Sequence, residues 1–143
     1  MKSTGHASWQ GSLFEGSGVA TLTSGAGGPF PVSWASRTEE SAGKTSPEEL
    51  IAAAHAACFS MALSNMLANA GNTADNLDTT AVATFEKTDA GMRITTMEIT
   101  VVGTVPGMSA EDFATHAAAA KDGCPVSNAL KGNVNITVEA SLA

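Results

Sequence analysis

A chain of 143 residues suits one domain, and a domain of that size buries about two thirds of its unfolded surface without needing a disulfide or a metal. Apolar residues make up 43% and charged residues 15%, globular proportions that exclude disordered and fibrous classes. Seven Lys and Arg leave a net charge of -7, with no basic footprint for a phosphate backbone, so no nucleic-acid partner is expected. The first twelve residues hold no apolar run of the kind a secretory signal needs. The longest apolar stretch, residues 50–63, is broken by His55 and Ser60 and is shorter than a bilayer crossing. A soluble, cytoplasmic protein with no membrane partner is expected. In that compartment a permanent disulfide between Cys58 and Cys124 is disfavoured, so the two cysteines are either inert core thiols or redox groups.

In chain order, residues 7–13, 18–22 and 30–34 are short apolar runs punctuated by glycine and predict three strands in a meander. Residues 35–45 read as a polar loop. Ser46-Pro47-Glu48-Glu49 is a helix start: Ser46 caps, Pro47 sits where its missing N–H is not needed, and Glu49 completes a capping box. The helix runs to about residue 70, where Gly71-Asn72 stops it, and its first two thirds are apolar almost all round, as in a helix buried at the centre of a protein. Residues 77–87 and 92–105 alternate around a turn at Asp89-Ala90-Gly91 and predict a hairpin. Ser109 opens a second helix through Lys121, Cys124-Pro125 opens a short one to about Leu130, and residues 134–142 alternate as a last strand. The order βββ-α-ββ-αα-β predicts an α+β domain, 1–143, with an antiparallel sheet around one long buried helix.

Cys58 taken alone is as much a small buried residue as a reactive one. Cys124 is different, because Gly123 precedes it and Pro125 follows it at a helix start, where unpaired backbone N–H groups lower a thiol's pKa. The sequence holds two arginines, and Arg93 falls beside the hairpin turn on a solvated face. Arg37 lies in the polar loop ahead of the long helix. If that loop folds back, Arg37 can hold a thiolate and be held in turn by a carboxylate.

The segments Ser46-Pro47-Glu48-Glu49-Leu50, His55-Ala56-Ala57-Cys58-Phe59-Ser60-Met61-Ala62-Leu63 and Asp122-Gly123-Cys124-Pro125-Val126-Ser127 resemble the signature segments of the OsmC/Ohr family of thiol-dependent hydroperoxide reductases, the OsmC branch in particular. The resemblance extends to Trp9-Gln10-Gly11 and Asp89-Ala90-Gly91. It implies an OsmC-like fold in an intertwined homodimer, a peroxidatic Cys58, a resolving Cys124, and an Arg37–Glu48 pair that activates Cys58. It also implies a hydroperoxide substrate, an external dithiol as reductant, and a place in oxidative and osmotic stress defence, while the apolar surroundings of Cys58 suggest that organic hydroperoxides are favoured and hydrogen peroxide is reduced less well. That chemistry requires no metal, flavin or haem.

Helix geometry adds two points. At 100° per residue Glu48 is about 80° from Cys58 around the axis and Glu49 about 180°, so Glu49 suits the cap and Glu48 the site. The ten residues between Glu48 and Cys58 correspond to ~15 Å of axial rise, which suggests that an antiparallel second copy brings carboxylate and thiol together. Apolar residues Ile51, Phe59 and Met61, with Phe30 or Phe14, are the expected pocket lining.

His6, His55 and His116 fit no zinc spacing, and His55 is expected to be a packed ring with a satisfied hydrogen bond. Ser60, Ser64 and Ser127 offer no nucleophile elbow for a hydrolase. The competing reading is a non-enzymatic stress protein that binds apolar small molecules and uses its cysteines as a redox switch.

Overall fold

Small and apolar residues alternating between glycine turns give an antiparallel meander, β1 (Gly5–Gln10), β2 (Ser17–Leu22) and β3 (Phe30–Val32), in a sheet of order β1-β2-β3. Trp9 lies across the ladder from Gly18, and a Cβ on Gly18 would come within 2.7 Å of the indole. Glycine is what lets the ring lie on the strand. The computed structural model describes all residues from 1 to 143.

The polar stretch after β3, expected as loop, contains a one-turn helix, α1 (Ala35–Thr38). The Ser36 hydroxyl donates to the carbonyls of Ser33 and Thr45, each at 2.8 Å, while Ser33 and Ser36 side chains accept from each other's backbone N–H. Serine side chains competing for the backbone make this turn, and no hydrophobic period announces it. It points Arg37 back toward the next helix.

That helix, α2 (Pro47–Asn69), starts as the cap signal predicts, with the Ser46 hydroxyl accepting from the Glu49 N–H at 3.1 Å. The reciprocal half of the capping box is absent: the Glu49 carboxylate accepts instead from the Thr45 hydroxyl. At the other end Gly71 has φ +85°, and the Asn72 N–H donates to the Leu67 carbonyl at 2.9 Å, closing the last turn.

The expectation of all-round burial is corrected. Ala52, His55, Phe59, Leu63 and Leu67 form one buried stripe, whereas Ala53, Ala54, Ala57 and Met61 on the other side are exposed, Met61 to 72%. Hydropathy registers how apolar each face is, and only one of these faces has a core to enter. The expectation that the chain lacks a segment of membrane-spanning size also needs correction. At 23 residues, with a mean hydropathy of 1.5 in its most apolar window, α2 is long and apolar enough to cross a bilayer by length and composition. Its buried stripe is committed to the core of an α+β fold.

After α2, β4 (Asn76–Thr88) and β5 (Gly91–Thr104) form the predicted hairpin, with Gly91 at φ +97° and the Thr88 hydroxyl donating to the Gly91 carbonyl at 2.9 Å. Met97, Ile99 and Val101 point into the core from β5, and Glu98 and Thr100 point out. Helix α3 (Ala110–Gly123) is capped by Ser109, which accepts from the Asp112 N–H. Helix α4 (Pro125–Leu130) has Cys124 as its N-cap residue, and β6 (Asn135–Leu142) closes the fold.

β6 corrects the antiparallel expectation. The second sheet has order β4-β5-β6, with β4 and β5 antiparallel and β6 parallel to β5. The cause is the crossover: α3 and α4 carry the chain from the end of β5 back to its beginning, so β6 must run the same way. Alternation reports which face a residue takes and is silent on direction.

Within the span read from sequence as one domain, the chain divides into two compact units, Met1–Leu50 and Ile51–Ala143, with the boundary inside the first turns of α2. The core of the second unit joins Phe59, Leu63 and Leu67 of α2, Met97, Ile99 and Val101 of β5, and Phe113, Ala117 and Ala120 of α3. Each fully buried large side chain here is worth ~1.5–3 kcal/mol of burial. Phe113 depends on Gly103, where a Cβ would come within 2.4 Å of the ring. Gly103→Ala is therefore expected to overpack this core and cost about 2 kcal/mol, checked as a lowered midpoint in chemical denaturation with unchanged slope.

Candidate active site

In the first unit, α1 and the start of α2 bring Arg37 and Glu48 together. The Arg37 Nη2 donates to Glu48 Oε1 at 2.6 Å and Nε donates to Oε2 at 3.2 Å, a two-point pairing of the planar guanidinium with the carboxylate. Glu48 is 6% exposed, while Glu49 is exposed and turned to Thr45, so the structure separates the two acids as helix geometry suggested. The Arg37 guanidinium carbon lies 5.4 Å from the centroid of the Trp34 ring, and Trp34 meets Phe14 edge-on at 5.7 Å. A fixed fork on a buried acid holds its orientation, which a freely rotating lysine would not.

Beside Arg37 the first unit has a cavity of about 350 Å³ walled by Trp9, Leu13, Val32, Trp34 and Pro47. These are not the residues expected to line a pocket. Phe59 is wholly buried in the core of the second unit, and its position on α2 decides against it. Met61 is largely in solvent and borders a separate open hollow in the second unit, with Ser60, Ser64 and Leu77.

In the second unit, Cys58 on α2 and Cys124 at the head of α4 are both free thiols and lie close enough for each to shift the other's ionisation. Cys58 is partly exposed and Cys124 is completely buried. Burial pushes the Cys58 thiol up, and the neighbouring Cys124 raises it further against a lowering interaction with the Val126 N–H. Burial also acts to raise Cys124. There it is outweighed by the Ser127 N–H, the Cys58 thiol, the Ser127 hydroxyl and the Val126 N–H, so Cys124 falls below its usual value. The lowered Cys124 agrees with the expectation from Cys124-Pro125.

His55 and Ser127 flank the thiols. His55 is completely buried, its Nε2 lies 2.7 Å from the Ser127 hydroxyl, and its Nδ1 has no partner. Burial pushes the ring below its usual value, so it is neutral near pH 7. The expected satisfied histidine is half satisfied, and Ser127 was assigned no role from sequence. A signal was available. His55 precedes Cys58 by three residues and Ser127 follows Cys124 by three, so each thiol has a polar companion on its own helical face.

A family model described as OsmC-like protein matches residues 39–139. The chain belongs to the OsmC family. Glu48, Cys58 and Cys124 of this OsmC chain fall inside the matched span, and Arg37 lies two residues before it. Peroxiredoxin OsmC of Escherichia coli is 45% identical over 132 residues, 92% of each chain. The organic hydroperoxide resistance protein-like 2 of Staphylococcus saprophyticus is 32% identical over 101 residues, 69% of each. Among solved structures, the organic hydroperoxide resistance protein OhrB of Bacillus subtilis aligns with a TM-score of 0.73 at 25% identity, covering 96% of this chain and 98% of that one. The OsmC fold thus includes the mixed second sheet that alternation did not reveal.

The two thiols form one titrating system, because ionising either raises the other. Cys124→Ala removes the neighbour that raises Cys58. The expected result is a shift of Cys58 alkylation by a neutral reagent to lower pH, measured as rate against pH in reduced protein.

Proposed function

We propose that this chain is a cysteine-based peroxidase that reduces organic hydroperoxides to alcohols, with Cys58 as the peroxidatic thiol and Cys124 as the resolving thiol. The observation that carries the reading is the neighbouring pair of free thiols, one reachable and one wholly buried, in a chain that is 45% identical to a protein named Peroxiredoxin OsmC. A reachable thiol suits attack on a bulky peroxide. A buried one, already in contact, suits closure of a disulfide.

The Cys58 thiolate attacks the distal oxygen of the peroxide, the O–O bond breaks, and the alkoxide leaves with a proton as alcohol, giving a Cys58 sulfenic acid. The Cys124 thiolate attacks that sulfur, the S–O bond breaks, hydroxide takes a proton and leaves as water, and the disulfide forms. An external dithiol then returns the two electrons by exchange. The apolar cavity at Arg37 favours an alkyl group over hydrogen peroxide.

Cys58 needs a cation that its own unit does not provide, since burial and Cys124 both push it up. The paired Arg37 and Glu48 suit that task. Ten residues of α2, ~15 Å of rise, separate Glu48 from Cys58. The exposed small residues Ala53, Ala54 and Ala57 would let a second α2 approach closely. A two-fold homodimer that sets the Arg37–Glu48 pair of one copy by Cys58 of the other follows, and a fully active monomer in sedimentation would overturn it.

With cumene hydroperoxide and a dithiol, wild type is expected to turn over and Cys58→Ser to lose turnover. After one equivalent of peroxide, mass spectrometry should find a loss of two hydrogens localised to a 58–124 bridge. Absence of turnover in wild type would favour an apolar-ligand binding protein with a redox switch. Retained turnover in Cys58→Ser would refute the assigned nucleophile.

A further inference from the structure

The unpartnered nitrogen of His55 decides how a hydroxyl at the second thiol is turned. A neutral imidazole carries one proton, on Nδ1 or Nε2. Nδ1 is buried without a partner. A proton there would be an orphaned buried N–H, a costly arrangement that native proteins avoid, whereas a bare acceptor nitrogen costs less. The proton therefore belongs on Nε2, which lies 2.7 Å from the Ser127 hydroxyl oxygen. Ser127 accepts that bond, and its own proton is directed elsewhere. Ser127 is 4% exposed, sits at the third position of the short helix that Cys124 heads, and its side chain is among the groups that lower the Cys124 thiol.

We propose that His55 locks the Ser127 hydroxyl as a donor to Cys124, so that this sulfur is held ready as a thiolate both when it attacks and when it leaves. Ser127 touches the reacting sulfur and His55 is a positioning residue acting through it. The proposal rests on the roles of Cys58 and Cys124 given above for its catalytic consequence, though not for its effect on Cys124 itself. In regeneration, a thiolate of the external dithiol attacks the Cys58 sulfur and the S–S bond breaks with its electron pair going to Cys124. The Ser127 O–H supports the charge as it forms. The second thiol of the reductant then displaces Cys58, and the two protons of the dithiol end on the two cysteines. In resolution, the same donor keeps Cys124 ionised while it attacks the sulfenic sulfur.

The surroundings fit this task. Cys124 is sealed from water, so its proton needs a route. Ser127 also borders a cavity of about 160 Å³ lined by Lys121, Asp122, Asn128 and Lys131, a wall that carries two cations and one carboxylate. From α2 the groups facing the thiol are Cys58 and, through Ser127, His55. β6 and the residue before it contribute only the apolar Ile136 and Val134 to the cavity.

The test titrates Cys124 in the Cys58→Ser protein by ultraviolet thiolate absorbance, with added Ser127→Ala, Ser127→Thr, His55→Leu or His55→Gln. Ser127→Ala and His55→Leu are expected to raise the midpoint by about one pH unit, as loss of a hydrogen bond to a thiolate requires. Ser127→Thr keeps the hydroxyl and His55→Gln keeps a donor at the place of Nε2, so both should stay near the parent. With Cys58 intact, Ser127→Ala should slow reduction of the preformed disulfide by a small dithiol about threefold, because a leaving thiol of higher pKa departs more slowly. An unchanged midpoint in Ser127→Ala overturns the proposal, and the two Ser127 variants decide it even where His55→Leu fails to fold. A His55→Gln protein that titrates like the unlocked Ser127→Ala protein overturns the role of His55. The titration needs no turnover. Loss of the peroxidase reading therefore leaves it intact, and an unchanged titration in an active enzyme refutes this proposal alone.

Discussion

Two neighbouring thiols resist holding a negative charge at the same time, and the chemistry of this protein is organised around that restriction. Whichever sulfur ionises first raises its neighbour. The backbone at the head of α4 and the Ser127 hydroxyl favour Cys124, while burial disfavours Cys58. Cys124 is thus the sulfur that its own unit prepares as an anion. In the proposed mechanism Cys58 draws its activation from a cation, the task proposed for the bidentate Arg37–Glu48 pair. In that mechanism a single thiolate passing between the two sulfurs also orders the steps, because Cys124 would attack only after Cys58 has become electrophilic.

The helix that carries Cys58 has two apolar faces with different uses. Phe59, Leu63 and Leu67 lock one face into the core, which fixes the position of Cys58 at the edge of that stripe. Ala53, Ala54 and Ala57 leave the other face smooth and exposed. A helix apolar all round normally marks a core or membrane segment. Here the small exposed residues give α2 a smooth outer face, the one on which the proposed homodimer rests.

Much of this was legible in the sequence because local rules and chemistry coincided. Pro47 and Ser46 placed the start of α2, Asp89-Ala90-Gly91 placed the hairpin, and Cys124-Pro125 marked a thiol at a helix head. What escaped detection depended on contacts remote in sequence. The direction of β6 is decided by the crossover through α3 and α4, whose side-chain alternation is the same for either direction. The Glu49 carboxylate chose the Thr45 hydroxyl over the cap N–H, two partners that a sequence cannot rank. The turn at α1 is held by Ser33 and Ser36, whose bonds to the backbone have no periodic signature.

Ser127 shows the limit most clearly. Its distance from His55 is 72 positions along the chain and 2.7 Å in space, so neither residue alone announces a pair. The three-residue spacing from each to its cysteine became informative only once α2 and α4 were known to face one another across the thiols. A nitrogen without a partner then supplied what the spacing could not, the direction of a proton. In a buried site the group left unsatisfied constrains the hydrogens of all its neighbours, because each donor in the chain has one acceptor to choose. His55 Nδ1 is such a group, and its lack of a partner carries as much chemical information as the bonds around it.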